Sequence, residues 1–244
     1  MADRLSTQTI NHSSSNSTLI QLGLQGLPSI TPDVADANRI FLSPDPTTKP
    51  IDLYKVQKNR CSIPGYRFVR STNPDEMLMF VDGSALDNGS PNARAGYGVV
   101  FAPLEWYQPI SRRLEQDGNP QTSNRAELRA VLASLTLRYW AGEGFSRIIL
   151  ACDSEYVVKG ISEWILKWRK NGWKTTTGSP VANQDLWKKL EAKLREMEKN
   201  GMLVQFWKIS REWNEADKYA KAGAVISFQF FFFNKIFLLI LFYD

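Results

Sequence analysis

The chain has 244 residues, 43% hydrophobic and 23% charged, with 30 Lys and Arg against 25 Asp and Glu and a formal net charge of +5. A lone histidine, His12, set in a Ser/Asn-rich stretch, excludes Ser/His/Asp and Cys/His nucleophilic sites. Two distant cysteines, Cys61 and Cys152, exclude Cys/His zinc sites and a disulfide framework, so any chemistry must rest on carboxylates with lysine or arginine.

Residues 1–75 are rich in Ser, Thr, Asn and Pro, with the run Ser13-Ser14-Ser15-Asn16-Ser17-Thr18, and their short apolar pieces lack a sustained period. This composition predicts a low-complexity, disordered N-terminal region. A compact α/β domain is expected over residues 76–225. Met77–Val81 is an apolar run ending in Asp82-Gly83, as a buried strand entering a turn would be. Gly96–Phe101 reads as a second strand, and a weaker third lies between Glu105 and Arg113. Thr122-Ser123-Asn124 offers capping side chains to a helix running to Trp140. Ile148–Cys152 is a fourth strand, again ending in an aspartate, Asp153. A helix from Ser154 to Trp168, a second from Asn183 to Lys199, a fifth strand from Leu203 to Ile209 and a helix from Asn214 to Ala224 complete the domain. Strands alternating with helices after a meander indicate a mixed sheet covered by helices.

Residues 226–244 differ from everything before them: seven of the chain's 13 phenylalanines lie here, with only Lys235 and Asp244 charged. Two readings stand. Eighteen residues span ~27 Å as a helix, enough for a membrane anchor. Alternatively, Phe, Ile, Leu, Asn, Lys and Tyr all have codons made only of A and T, so the tail reads as translated intron sequence.

Asp82 and Asp153, at the ends of two apolar strands, could lie side by side. Like charges a few ångströms apart raise one another's pKa or recruit a cation. Glu127 and Asp217 could converge there, making a hard-oxygen site suited to Mg²⁺ or Mn²⁺. Spacing alone fits helix-capping aspartates and two solvated acids at least as well.

The surrounding motifs narrow the choice. Phe80-Val-Asp-Gly-Ser84, Gln121-Thr-Ser-Asn-Arg-Ala-Glu-Leu128, Asp153-Ser154 and Asn214-Glu-Ala-Asp217 follow one another in the order and spacing of type 1 ribonuclease H. The chain resembles that family, in a eukaryotic or fungal-like form, over Met77 to Ala224. The resemblance implies a ribonuclease H-like α/β fold, a five-stranded mixed sheet flanked by helices. It also implies endonucleolytic cleavage of the RNA strand of RNA–DNA hybrids with two Mg²⁺ ions, Mn²⁺ being an alternative, leaving 5′-phosphate and 3′-hydroxyl ends. Asp82, Glu127, Asp153 and Asp217 fall on the family's metal-binding, catalytic carboxylates.

Further positions carry over as expectations about substrate. Asn88, Ser123 and Asn124 match groups facing the minor groove of the hybrid, where the 2′-hydroxyl distinguishes RNA. Thr122 and Asn183 match positions that grip a DNA phosphate. Trp168, Lys170, Trp173 and Lys174, in a segment shared with Trp164, Lys167 and Arg169, resemble the family's basic protrusion, whose cations would neutralise DNA phosphates. There are two departures. Pro120 stands where relatives commonly have an arginine. The loop Ile209–Asn214 lacks the family's histidine, leaving Arg211 nearest in place to hold a phosphate. The expected partner is an RNA–DNA hybrid, met by a monomer in the nucleus or cytoplasm, with membrane contact only through the tail. Two alternatives compete with this reading: a non-catalytic nucleic-acid-binding module, and a related metal-dependent DNA nuclease.

Overall fold

The structure is a computed structural model and describes residues 27–61 and 65–226. Its centre is β3 (Asn73–Leu86), which carries strands along both edges. Leu78 pairs with both Phe68 and Ile149, and Phe80 with both Val100 and Ala151. One edge of β3 is therefore shared by β2 (Tyr66–Arg70) and β4 (Arg94–Val100), and the other carries β6 (Arg147–Cys152) in parallel. Antiparallel β5 (Ile110–Arg113) extends the sheet beyond β4, and parallel β7 (Leu203–Lys208) beyond β6. These five strands, β5-β4-β3-β6-β7, are the expected core. The sheet has seven strands rather than five, because β1 (Tyr54–Lys58) pairs with β2 in an added hairpin.

Apolar residues run unbroken from Met77 to Val81 in β3 because both faces of the strand are buried there. Met77, Met79 and Val81 point to one layer with Leu128, Leu150, Trp187 and Phe206; Leu78 and Phe80 point to the other with Tyr54, Ile149, Trp207 and Ala216. The first layer contains α3 (Ser123–Thr136), α6 (Gln184–Lys199) and the helical stretch from Glu155 to Lys170. That stretch is α4 (Glu155–Lys159), a π-helical turn (Gly160–Trp164) and α5 (Ile165–Lys170). The wide turn begins where Gly160 meets Trp187: an added Cβ would lie 2.2 Å from the indole. The second layer includes the start of α7 (Asp217–Val225) and the N-terminal segment. α7 sits close on the sheet because Gly96 and Gly98 lack side chains; a Cβ on Gly96 would meet the Ala224 nitrogen at 2.1 Å.

Two expectations are corrected. The region expected to be low-complexity and disordered, 1–75, is built into the fold over its described residues. Short helices α1 (Pro32–Ala37) and α2 (Pro50–Leu53) precede the β1–β2 hairpin, and Phe41 N–H donates to the Phe206 carbonyl at 2.9 Å, extending the β7 edge. Buried ion pairs, rather than a long apolar period, fasten it: Arg39 to Glu198 at 2.5 Å, and Arg67 to Glu143 at 2.8 Å. Second, α3 ends at Thr136, not Trp140. The chain leaves the helix so that Trp140 can bury against Phe101 and donate its indole N–H to the Ser134 carbonyl at 2.9 Å. Residues 1–26 and 227–244, including nearly all of the apolar tail, lie outside the described residues. Among the described residues no helix is long and apolar enough to cross a membrane.

Candidate active site

Four elements deliver the four carboxylates. Asp82 lies in β3 opposite Gly98, and Asp153 directly follows β6. Glu127 is in the second turn of α3, and Asp217 opens α7. α3 reaches the sheet over Gly83, where a Cβ would stand 2.1 Å from the Glu127 nitrogen, so a glycine there lets the helix bring Glu127 to the strand. The first turn of α3 is capped by Thr122, whose hydroxyl accepts from the Arg125 N–H at 3.3 Å.

The electrostatics show that these acids share one site. Asp82 is 5% exposed, and burial, reinforced by the charges of Asp153, Asp217 and Glu127, pushes its pKa up to about 8. Burial likewise pushes Glu127 up to about 7, with Asp153 adding to the shift and a hydrogen bond from Ser154 opposing it. Asp217 is held below the usual carboxylate range: burial opposes this, but hydrogen bonds and charge from Lys221 and Arg211 outweigh it. Asn214 donates from one amide nitrogen to the Val81 carbonyl at 3.1 Å and to Asp153 Oδ1 at 2.7 Å. It thereby ties the loop before α7 to both aspartate-bearing strands.

One atom stands out: Asp82 Oδ2 is buried with no hydrogen-bond partner. An unpaired carboxylate oxygen among like charges is costly unless a cation meets it. With four oxygen donors and no sulfur or imidazole, the donor set fits a hard divalent ion. As the side chains stand, no three acids among the described residues are gathered to hold one ion. Each of the other three is turned to a donor within the chain: Glu127 to Ser154, Asp153 to Asn214, and Asp217 to Arg211 and Lys221.

The expected substrate groups fall into separate clusters. Asn88 is exposed in the turn between β3 and β4, flanked by Asp87 and Gly89 at positive φ. Ser123 and Asn124 open α3 beside Thr122. Asn183, in the left-handed conformation, precedes α6 and donates to the Tyr156 hydroxyl at 3.2 Å. Arg125, 2% exposed, joins the starts of α3 and α6 by binding both oxygens of Asp185 at 2.9 Å, and also reaches Asp117 at 2.7 Å. Both of its terminal nitrogens are therefore held by carboxylates of the chain, while its buried Nε has no hydrogen-bond partner.

Trp168 packs on Trp187, with ring centres 5.4 Å apart, and half-buried Trp173 lies beneath Lys188. Lys170 and Lys174 are exposed, whereas Arg169 is bound to Asp36 and Glu191. Arg211 faces the carboxylates rather than open solvent alone, donating to Asp217 at 2.9 Å. Ser154, Asn214 and Lys221 were not singled out from sequence as site residues. The first two lay within the motifs Asp153-Ser154 and Asn214-Glu-Ala-Asp217, while Lys221 is found only by its helical i,i+4 spacing from Asp217.

The RNase H family profile matches residues 74–225. Ribonuclease H of Actinobacillus succinogenes is 38% identical over 149 residues, covering 61% of this chain and 90% of the relative. Ribonuclease HI of Haemophilus influenzae is 38% identical over 152 residues, covering 62% and 91%. A foamy viral protease–reverse transcriptase solved in complex with an RNA/DNA hybrid aligns with TM-score 0.48 and 21% identity, over 83% of this chain and 23% of that one. The profile covers the stretch holding Asp82, Glu127, Asp153 and Asp217, and the chain belongs to the ribonuclease H family.

Proposed function

We propose that the chain is an endoribonuclease that hydrolyses the RNA strand of RNA–DNA hybrids, dependent on divalent metal, with two Mg²⁺ ions held by Asp82, Glu127, Asp153 and Asp217 and with Mn²⁺ able to replace them. The observation that carries this reading is the buried, partnerless oxygen of Asp82, on which the charges of Asp153, Asp217 and Glu127 act, within the stretch matched by the RNase H profile. When bound, the ions supply Lewis acidity, lowering the pKa of water and offsetting charge that develops on the phosphoryl group and the leaving 3′ oxygen.

The chain's own residues prepare that chemistry. Ser154 orients Glu127, and Asn214 fixes Asp153 relative to β3, so two ligand groups are held before any ion arrives. Thr122 and Asn183, brought together by the Arg125–Asp185 bridge, suit a phosphate of the DNA strand. Asn88, Ser123 and Asn124 are the polar groups placed to sense 2′-hydroxyls. Lys170 and Lys174 beside Trp173 supply charge for the DNA backbone. That all four carboxylates lie on one chain supports activity as a monomer.

The test is cleavage of labelled hybrid, duplex DNA and duplex RNA with and without Mg²⁺. Hybrid cleavage that requires Mg²⁺, leaves 5′-phosphate and 3′-hydroxyl ends and disappears in Asp82→Asn is expected. Hybrid binding without Mg²⁺-dependent cleavage would overturn the enzyme reading, and cleavage of duplex DNA alone would overturn the substrate.

A further inference from the structure

Asp217 is the most heavily engaged of the four carboxylates. Its Oδ1 accepts from Arg211 Nη2 at 2.9 Å and Nε at 3.1 Å, and its Oδ2 lies 2.6 Å from Lys221 Nζ. Lys221 stands one helical turn further along α7 and bridges only within that helix. Arg211 differs. Its Nε also lies 4.0 Å from Asp153 Oδ2, its guanidinium is raised in pKa by Asp217 first and also by Asp153 and Asp82, and its charge in turn lowers Glu127. One cation therefore faces acids from β3, α3, the end of β6 and α7.

The Arg211 side chain is nonetheless 63% exposed, and it projects from a short 3₁₀ turn, Arg211–Trp213. The neighbouring Asn214 is pinned to β3 and Asp153. The guanidinium can thus leave the carboxylates by rotation about its own bonds while the backbone of the turn stays in place. A divalent ion taking Asp153 and Asp217 puts two positive charges where Arg211 supplies one, so the two cations compete for the same oxygens.

We propose that Arg211 is the counter-cation of the metal-free site: it neutralises Asp153 and Asp217 until a divalent ion displaces it, and so sets the site's metal affinity. This inference rests on the hybrid-ribonuclease reading of the same carboxylates. It assigns Arg211 a role before substrate arrives, unlike that of a phosphate ligand.

The experiment is calorimetric titration of MnCl₂ and MgCl₂ into the metal-free full chain, without nucleic acid and at constant ionic strength. It compares the unaltered protein with Arg211→Gln, Arg211→Lys, Asp217→Asn and the double variant Arg211→Gln/Asp217→Asn. Because Arg211 is largely exposed, solvent screens it, and Arg211→Gln is expected to bind metal roughly two- to fivefold more tightly. Its melting temperature in EDTA should fall, and the rise on adding metal should widen. Arg211→Lys keeps the charge but loses the planar fork that places two N–H bonds on Asp217, and should move in the same direction by less. In the Asp217→Asn background, Arg211→Gln should change affinity much less. Metal binding unchanged or weakened in both Arg211 variants would overturn the proposal. With hybrid cleavage intact and abolished by Asp82→Asn, that result would leave the enzyme reading standing. Loss of the Mg²⁺-dependent cleavage itself would remove both.

Discussion

Asp82 and Glu127 carry the site's pH dependence. Both titrate well above an unfolded carboxylate, at about 8 and about 7, so the fold favours their protonated forms. That contribution is complete below the unfolded pKa of roughly 4 and is lost as pH rises through the folded values. The metal-free protein should therefore melt at progressively lower temperature between pH 5 and pH 8. Calorimetry in EDTA on Asp82→Asn should show a flatter profile; an equal slope would mean that Asp82 is not the group responsible. Asp217 has the opposite sign: its lowered pKa contributes stability above the unfolded value, lost only in more acidic solution as pH falls through the folded pKa. The same two raised carboxylates should release protons when an ion binds at pH 7, seen as a binding enthalpy that varies with the ionisation enthalpy of the buffer.

At the scale of elements, the site depends on how closely α3 and α7 approach the sheet. Gly83 and Gly98, on opposite faces of neighbouring strands, leave room for the two helices. Gly83→Ala should force α3 outward, costing about 1–3 kcal/mol by urea denaturation. It should also slow hybrid cleavage more than hybrid binding, since it moves the backbone of Glu127. These approaches also explain what could be read without coordinates. Asp82-Gly83 and Gly96-Tyr-Gly98 were visible as motif and strand, and four of the five core strands stand where apolar runs lie between turn residues; the other, Ile-Ser-Arg-Arg, has no apolar run and was placed only within Glu105 to Arg113. The end of α3 was not visible, because Leu137 and Trp140 continue a helical apolar spacing while the indole N–H finds its partner by turning back to Ser134. The hairpin was not visible either. β1 is short, and its Tyr54-Lys-Val-Gln57 alternation is not matched by burial, since four of its five residues are exposed; buried Arg39 and Arg67 look like surface cations until Glu198 and Glu143, far away in sequence, are brought to them.

For the whole molecule, the N-terminal segment belongs to the catalytic domain's architecture. Arg67 is fully buried, bidentate to Glu143 at 2.8 Å, and lies within 6 Å of the ring centres of Phe101, Tyr107 and Trp140. Such a pair contributes little compared with a well-packed apolar one, but removing one partner strands the other. Glu143→Ala should destabilise the protein by about 3–5 kcal/mol in urea titration, whereas changing the exposed Arg60–Asp75 pair should have little effect. In α1, Asp36 collects Arg39, Arg169 and Arg195, and its pKa falls to about 2: burial opposes the fall, but the hydrogen bonds and charges of Arg169 and Arg195 outweigh it. Asp36→Asn should loosen Arg169 beside Lys170, leaving Glu191 as its remaining carboxylate partner. Hybrid affinity should then rise at low salt, with a steeper salt dependence than in the unaltered chain.

The π-helical turn at Gly160–Trp164 carries a consequence for changes in chain length. A π turn holds one residue more than the α-helical ladder requires, so the helix faces on either side line up as though that residue were skipped. Removing the exposed Glu163 should convert the stretch to a continuous α-helix while Tyr156 and Trp168 keep their places on Trp187. Removing Lys167 from the regular helix beyond should instead rotate the remainder of that helix by roughly 100° and swing Trp168 off its neighbour. Lengths that differ by one residue between relatives can be absorbed at this turn without disturbing the aromatic stack or the cations beyond it.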